Sequence, residues 1–457
     1  LPKIIILGAG PAGLGAAWQL KKSGLDDFSV YEKRKGPGGL ASSYQTKEGF
    51  SYDAGGHVLF SSDPVFSEML STLLGGELLR FNRSSWIFML DSLIPYPLQN
   101  NVHLLPEEEM LDCLLGAVEA FAGHENTGRN AANFREWCLS VFGSGLCRHF
   151  MLPYNSKVWA VPLELMGHGW IGSRVSTVDI RQMLKNLVLK KNESDWGPNS
   201  VFSYPLRGGI GRLCSEAARF VGERHFNYER EALHVDSRKK EVYFSSGEKV
   251  PYDFLLSTMP LNELLLITEG IPRRTRECAS EFLWNSLTAV GIGARGKVPH
   301  DKHWIYFPEE DFPFYRVTLL SNYSRHLVPD DNCFSLLAEI SNSACRPKDR
   351  WRIPEDVLAG LVKAGLLPSS NLRDILDVWV HEEKYAYPVP FLGRDRLLKK
   401  IMPVLGRRNI LSFGRFGLWK YEEGNTDHSF LQGAGAARSV ISRSCGEAPD
   451  PALRLPR

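Results

Sequence analysis

Two stretches of this chain carry residue types whose spacing could do chemistry. Near the N-terminus, Gly8-Ala9-Gly10-Pro11-Ala12-Gly13 follows the apolar run Ile4-Ile5-Ile6-Leu7. Glycines at this spacing let a strand turn tightly, bring backbone against a pyrophosphate and let helix pack on strand, with the helix N-terminus facing the phosphates. A second apolar run, Phe28-Ser29-Val30-Tyr31, ends on Glu32. A carboxylate there accepts hydrogen bonds from both hydroxyls of an adenosine ribose and selects a dinucleotide without a 2′-phosphate. The competing reading is a glycine turn kept for packing alone; the strand before, the helix after and the acid beyond weigh against it. Far downstream, Gly414 to Phe430 crowds Arg415, Lys420, Asn425 and His428 among Phe416, Trp419 and Tyr421. Cationic, amide and aromatic groups in one loop equip it to hold a substrate.

These groups need a scaffold. Strand, turn, helix and second strand predict a parallel nucleotide-binding sheet, and Tyr252 to Thr258, apolar and ending in small residues, reads as a buried strand returning to it. Asn409 to Gly414 supplies another strand, and Phe430 to Ser442 a small-residue helix that packs closely on the cofactor. From Leu104 to about Lys191 the pattern is helical, opened by Pro106 and three glutamates. Ala232 to Val235 and Glu241 to Phe244 alternate as a small meander. Residues 271–391 mix strands, such as Ala289 to Gly293, with one clear helix near Glu355 to Ala364. The fold class is therefore α/β: a Rossmann-like dinucleotide domain, discontinuous over 1–88, 199–270 and 392–457, with an inserted helical domain at 105–198 and a mixed antiparallel-sheet substrate domain at 89–104 and 271–391. The proline-rich, charged tail after Cys445 reads as disordered. After Glu32, the basic loop Lys33 to Ser42 carries the pair Gly38-Gly39 and resembles the second phosphate-contacting segment of FAD-binding oxidases, which favours FAD over NAD as the resident cofactor.

With 457 residues, 43% hydrophobic and 23% charged, the chain can bury a large core divided among two or three domains. A net charge of +2 gives no case for nucleic acid, and the basic segment Lys185 to Lys191 reads as a solvated helix face. Eight scattered cysteines without a CxxC pair predict free thiols in a reducing compartment, the cytoplasm, and no metal site. No segment has the length and apolarity of a membrane span. Three glycosylation sequons, at Asn82, Asn192 and Asn322, are read as coincidental.

The Gly414 to Phe430 segment closely resembles the signature of the UDP-galactopyranose mutase family, the eukaryotic type in particular. The likeness continues in Gly55-Gly56-His57-Val58-Leu59-Phe60-Ser61, Pro95 to Asn101, Pro153 to Val161, Trp196-Gly197-Pro198-Asn199, Tyr306-Phe307-Pro308, Pro313-Phe314-Tyr315-Arg316 and Tyr387-Pro388. It spans nearly the whole chain, in order. The family interconverts UDP-galactopyranose and UDP-galactofuranose, a ring contraction without net redox. The resemblance implies that N5 of reduced FAD attacks the anomeric carbon as UDP leaves, forming a covalent adduct in which the sugar opens and recloses.

The resemblance also implies roles. Arg174 and Arg316 would bind the diphosphate, with Tyr306, Tyr323, Tyr387 and Tyr421 donating phenolic hydrogen bonds; the bland reading of a lone arginine is a surface ion pair. Uracil recognition falls on Tyr96, Gln99 and Asn155 with Trp159 as packing neighbour, although an aromatic and two amides serve equally as core and turn residues. Asn199 would lie near the sugar. His57 would sit beside the isoalloxazine, where its backbone or ring responds to flavin redox state; the alternative is a satisfied structural histidine. FAD would be held by Gly8, Gly10, Ala12, Gly13, Glu32, Gly39, Leu40, Ala41, His57, Val235, Arg415, Asn425 and Ser429. Arg83 and Ser85 match positions that help eukaryotic-type members accept NADPH or NADH as reductant.

Leu98 and Lys420 depart from the eukaryotic pattern, and the stretch after Ser324 lacks an insertion carried by fungal members; the sugar pocket and oligomeric state stay open. Three rival readings are weighed: a mutase acting on another UDP-sugar, a flavin oxidase of the amine or protoporphyrinogen oxidase kind, and a flavin-bound binding protein without turnover, which the full constellation including Arg83 disfavours.

Overall fold

The computed structural model describes residues 2–123, 128, 130–172, 175–194, 197, 199–368 and 372–444. The first strand, Ile4–Leu7, is buried along its whole length and lies at the centre of a five-stranded parallel sheet. Phe254–Ser257 and then Ile410–Ser412 flank it on one side, Phe28–Tyr31 and then Phe226–Asn227 on the other. A continuous apolar run is what a strand covered on both faces requires. The discontinuous assembly expected from Tyr252 to Thr258 is thus what pairs in the sheet.

The helix Pro11–Lys22 starts on Gly10 with proline in its first turn, no acidic residue there and no side-chain cap. Its first N–H groups and positive dipole end are therefore left for an anion. The third glycine works at its back: a Cβ on Gly13 would lie 1.9 Å from the Gly8 carbonyl oxygen. The same helix packs backbone to backbone on the helix Thr426–Ser444, where a Cβ on Gly15 would meet the Phe430 carbonyl oxygen at 2.0 Å and one on Gly433 the Ala12 oxygen at 1.9 Å. That explains the small-residue composition of the last helix.

The meander is a sheet of Ala232–Asp236, Glu241–Phe244 and Lys249–Pro251, extended by Thr268–Glu269. Seven strands form the second large sheet, in the order Ile375–Pro388, Trp284–Arg295, Cys333–Asn342, Arg316–Thr318, Trp304–Tyr306, Ser85–Met89 and Ser92–Pro95. Neighbours are antiparallel except Trp304–Tyr306 and Ser85–Met89. The boundary expected after residue 88 falls inside a strand of this sheet. Tyr52 and Phe50 lie flat on it, because Gly291 and Gly293 leave room: a Cβ on either would be 2.5 or 2.7 Å from a ring atom.

The helical region comprises Glu107–Ala122, Phe134–Leu146, Leu152–Trp159 and Ile180–Leu189. Between the second and third lies a π-helical turn, Cys147–Met151, leading into Pro153. Among the described residues no helix is long and apolar enough to cross a membrane, and no cluster of His, Cys, Asp and Glu could hold a metal.

Candidate active site

A cavity of about 1520 Å³ runs between the two large sheets, from the glycine turn to Tyr306, Arg316 and Tyr387. It exceeds the roughly 300–1,000 Å³ of a single-ligand pocket. Its two ends differ in chemistry.

Gly8, Gly10, Ala12, Glu32, Gly39, Leu40 and Ala41 line one end. Glu32 is buried; its Oε2 accepts from the Ala9 N–H at 2.8 Å and its Oε1 from the Arg34 N–H at 2.9 Å, which ties the two glycine loops together. A carboxylate has about four acceptor positions, so capacity remains for ribose hydroxyls. Arg34 reinforces the tie, donating to the Gly39 carbonyl at 2.9 Å and to buried Glu383 at 2.7 Å, and His381 bonds the other Glu383 oxygen at 2.8 Å. The Gly10 and Gly39 backbones come so close that a Cβ on Gly39 would be 3.1 Å from the Gly10 Cα. This flat cradle, at an uncapped helix N-terminus, fits a dinucleotide pyrophosphate. Ala232 lines this end, whereas Val235 is fully buried on the same strand and does not line the cavity. A bulge between Ala232 and His234 shifts which residues of that strand face inward. Gly13 is behind the turn.

The other end is built on the hairpin whose strands pair Tyr306 with Arg316. Arg316 grips the buried carboxylate of Glu339 on the next strand through Nε and through Nη2 at 2.9 Å, and Nη2 also donates to the Gly56 carbonyl at 3.1 Å. Burial alone would raise the Glu339 pKa, but Arg316 beside it outweighs burial and holds it below the usual carboxylate range. The same glutamate accepts from Tyr315 OH at 3.2 Å, and Tyr315 bonds Tyr387 at 3.2 Å. Arg415 donates to the Ala386 and Gly424 carbonyls and lies over the rings of Tyr387 and Tyr421, 5.0 and 5.3 Å from their centroids. Trp159 backs both tyrosines from the core. Tyr96 meets Tyr306 edge-on at 5.2 Å. Burial raises the pKa of Tyr96, Tyr306 and Tyr387, keeping them as phenol donors.

His57 lines the cavity beside this cluster; its Nδ1 bonds the Gly55 carbonyl at 2.8 Å, and burial lowers its pKa below the usual imidazole value. Arg83, also lining, donates to Asn199 Oδ1 at 2.6 Å and to the Ser194 carbonyl at 3.3 Å. Asn425 and Ser429 line the cavity at the start of the last helix.

Several expected contacts are placed elsewhere. Tyr323 is buried against Tyr204, and Ser85 is buried within its strand; neither lines the cavity. Gln99 is buried and donates to the Ser176 carbonyl at 2.6 Å, and Asn155 turns back to the Met151 carbonyl at 2.7 Å, satisfied as core and turn residues in this structure. Arg174, Trp196 and Pro198 lie outside the described residues. Glu339, Tyr315, Arg34 and Glu383 were not foreseen. For Glu339 a signal existed: one acid inside the apolar run Phe334 to Ile340.

A large cavity with a dinucleotide cradle at one end and a cationic, phenolic chamber at the other defines a cofactor enzyme. The model of the flavin-containing amine oxidoreductase family matches residues 11–440, and the chain belongs to that family as an FAD-dependent enzyme. Within it, the chain is similar to a crystal structure of reduced UDP-galactopyranose mutase, 37% identical over 97% of this chain and 96% of that one, with a TM-score of 0.93. A putative protoporphyrinogen oxidase from Exiguobacterium sp. 255-15 is 14% identical over 96% of this chain and 98% of that one, TM-score 0.73. A putrescine oxidase bound to putrescine is 17% identical over 97% of this chain and 99% of that one, TM-score 0.65. The last two share the fold alone.

Proposed function

We propose that this chain is a UDP-galactopyranose mutase of the eukaryotic type, interconverting UDP-galactopyranose and UDP-galactofuranose, with NADPH or NADH reducing its FAD, in the reducing cytoplasm. The observation that carries the reading is Arg316, fixed on buried Glu339 at the cavity wall and faced by Tyr306 and Tyr387. A guanidinium among neutral phenols suits a diphosphate, which needs charge and several donors at once. Arg83 and Arg415 also line the cavity.

In this reading FAD would be held by Glu32, the Gly8–Gly10 and Gly38–Gly39 turns, Arg415, Asn425 and Ser429, and when reduced it supplies the nucleophile. Arg316, with Tyr306, Tyr387 and Tyr421, holds the diphosphate both in substrate and as the leaving group, so the sugar stays paired with the UDP to which it returns. Tyr96 offers a ring for uracil, and Trp159 stiffens Tyr387 and Tyr421 from behind. Arg174 is proposed as a second diphosphate arginine, and Arg83 with Asn199 for the reductant and sugar. The aromatic walls exclude water from the anomeric carbon.

The test is anaerobic conversion of UDP-galactofuranose to UDP-galactopyranose by dithionite-reduced enzyme, followed by chromatography, with oxidised enzyme as control. Turnover only when reduced, abolished in Arg316→Ala with FAD still bound, is expected. UDP binding without turnover points to another UDP-sugar; no UDP binding, with oxygen consumed on adding an amine, returns the oxidase reading.

A further inference from the structure

The loop that carries Arg415 and Tyr421 is pinned at both ends. Gly414, at its root, takes φ +83° and donates its N–H to Gln432 Oε1 at 3.0 Å, and Gln432 Nε2 donates to the Glu423 carbonyl at 3.1 Å, so one amide on the last helix closes the loop. Ser412 Oγ donates to the Gly417 carbonyl at 2.8 Å, and Trp419 Nε1 to that of Leu283 at 3.0 Å. Glu422, held in this loop beside Tyr421, lines the cavity. A bare carboxylate there opposes the binding of a diphosphate, because like charges repel strongly where water is scarce. With the loop fixed, that charge has to be met where it stands.

Arg394 meets it from behind. Its Nη1 and Nη2 donate to the two Glu422 oxygens at 2.9 and 2.5 Å, a bidentate pair, and its Nε donates to Asp395 at 2.9 Å. Arg394 is buried and does not line the cavity. Its place in the sequence is unfavourable by itself: it opens the helix Arg394–Gly406, at the end where the dipole repels a cation. Neither the helix nor contact with water accounts for an arginine at that position, whereas the Glu422 carboxylate, taking two of its three contacts, does. We infer that Arg394 is a positioning residue for diphosphate binding: acting through Glu422, it cancels an acid of the chamber wall and fixes the loop on which Tyr421 stands. The inference rests on the proposed reading of the chamber and assigns a residue outside it.

Calorimetric titration of the FAD-loaded protein with UDP and, separately, with uridine tests it. Arg394→Met should weaken UDP about tenfold and leave uridine, which has no phosphate, within about twofold. Adding Glu422→Gln to Arg394→Met should bring UDP affinity back to within about twofold of the parent, because no acid is then left to cancel. Arg394→Lys keeps the charge without the two parallel bonds; its loss should be smaller and reversed in the same way, and it replaces Arg394→Met if that variant does not retain FAD. Equal loss of UDP and uridine, or a UDP loss that Glu422→Gln does not reverse, makes Arg394 a structural residue and overturns the inference. Undiminished UDP affinity in Arg394→Met overturns it as well, while the reading of the chamber stands. A parent protein that binds no UDP removes that reading, and this inference with it.

Discussion

Replacing Glu339 by Gln probes the design of the chamber most directly. The carboxylate is buried, and two of its three side-chain contacts are to Arg316, whose guanidinium is mostly out of water. Gln is nearly isosteric and keeps one oxygen for Nη2, but its amide N–H groups then face Nε, donor against donor, and the guanidinium loses its counter-charge. Removing one partner of a buried pair costs about 3–5 kcal/mol, because a charge is left uncompensated, whereas replacing both by apolar groups is often near neutral. The retained oxygen places Glu339→Gln at the low end, about 3 kcal/mol. Urea unfolding of the FAD-loaded protein measures this as a lower midpoint at unchanged slope. Arg316→Met in the Glu339→Gln background should recover most of the loss, a coupling of about 3 kcal/mol in the double-mutant cycle. If the two changes simply add, or the single variant is as stable as the parent, the pair is not the electrostatic anchor described here.

Asp53 accepts from Ser43 Oγ at 2.5 Å, Tyr204 OH at 2.6 Å and the Ile210 N–H at 3.0 Å, and burial pushes its pKa up to about 6. A raised folded-state pKa gives stability that is full below the unfolded value near 3.9 and lost as pH rises through 6, about 3 kcal/mol in all; Asp53→Asn should abolish that loss between pH 4 and 7 in paired melts against the parent. Lys157, whose pKa burial lowers to about 7, donates to the carbonyls of Phe307, Glu309 and Phe312 in the loop between Tyr306 and Arg316. Lys157→Met leaves two buried acceptors, the Phe307 and Phe312 carbonyls, unpaired at about 1–3 kcal/mol each before relaxation, and the part-buried Glu309 carbonyl at less. UDP affinity by calorimetry should then fall about tenfold, which is 1.4 kcal/mol of misplaced diphosphate contact, at unchanged FAD content; undiminished affinity would show that the loop does not position the clamp. Arg83→Ala should slow flavin reduction by NADPH in stopped flow while sparing turnover of dithionite-reduced enzyme, and equal loss in both assays would remove Arg83 from the reductant's site.

The nucleotide end was legible because local constraints write it: Gly8 must take a positive φ, Gly13 must lack a Cβ, and Ile4 to Leu7 can only be a doubly covered strand. The chamber was legible in part. Tyr306, Arg316, Tyr387 and Arg415, named through the resemblance, line the cavity, whereas Gln99, Asn155 and Tyr323, named the same way, do not; a motif position alone does not say which way a side chain turns. The bulge between Ala232 and His234, which sets which residues of that strand face the cavity, leaves no trace in the periodicity. Glu339 stayed hidden because its importance arises from a cross-strand neighbour, Arg316, opposite it in the sheet.

The rings of Phe50 and Tyr52 seated on Gly293 and Gly291 fasten the nucleotide-binding half of the molecule to the middle of the longest strand pair, with Trp379 stacked on Tyr52 at 5.3 Å. Ala289, the next residue of that strand on the same face, carries a side chain where the two glycines have none and packs in one core with both rings. The two halves are thus keyed together like a mortise and tenon, and breathing at the mouth of the cavity falls to its loops. Evolution can then lengthen or reshape those loops to admit new ligands while the distance between cradle and chamber, on which any chemistry across them depends, stays fixed.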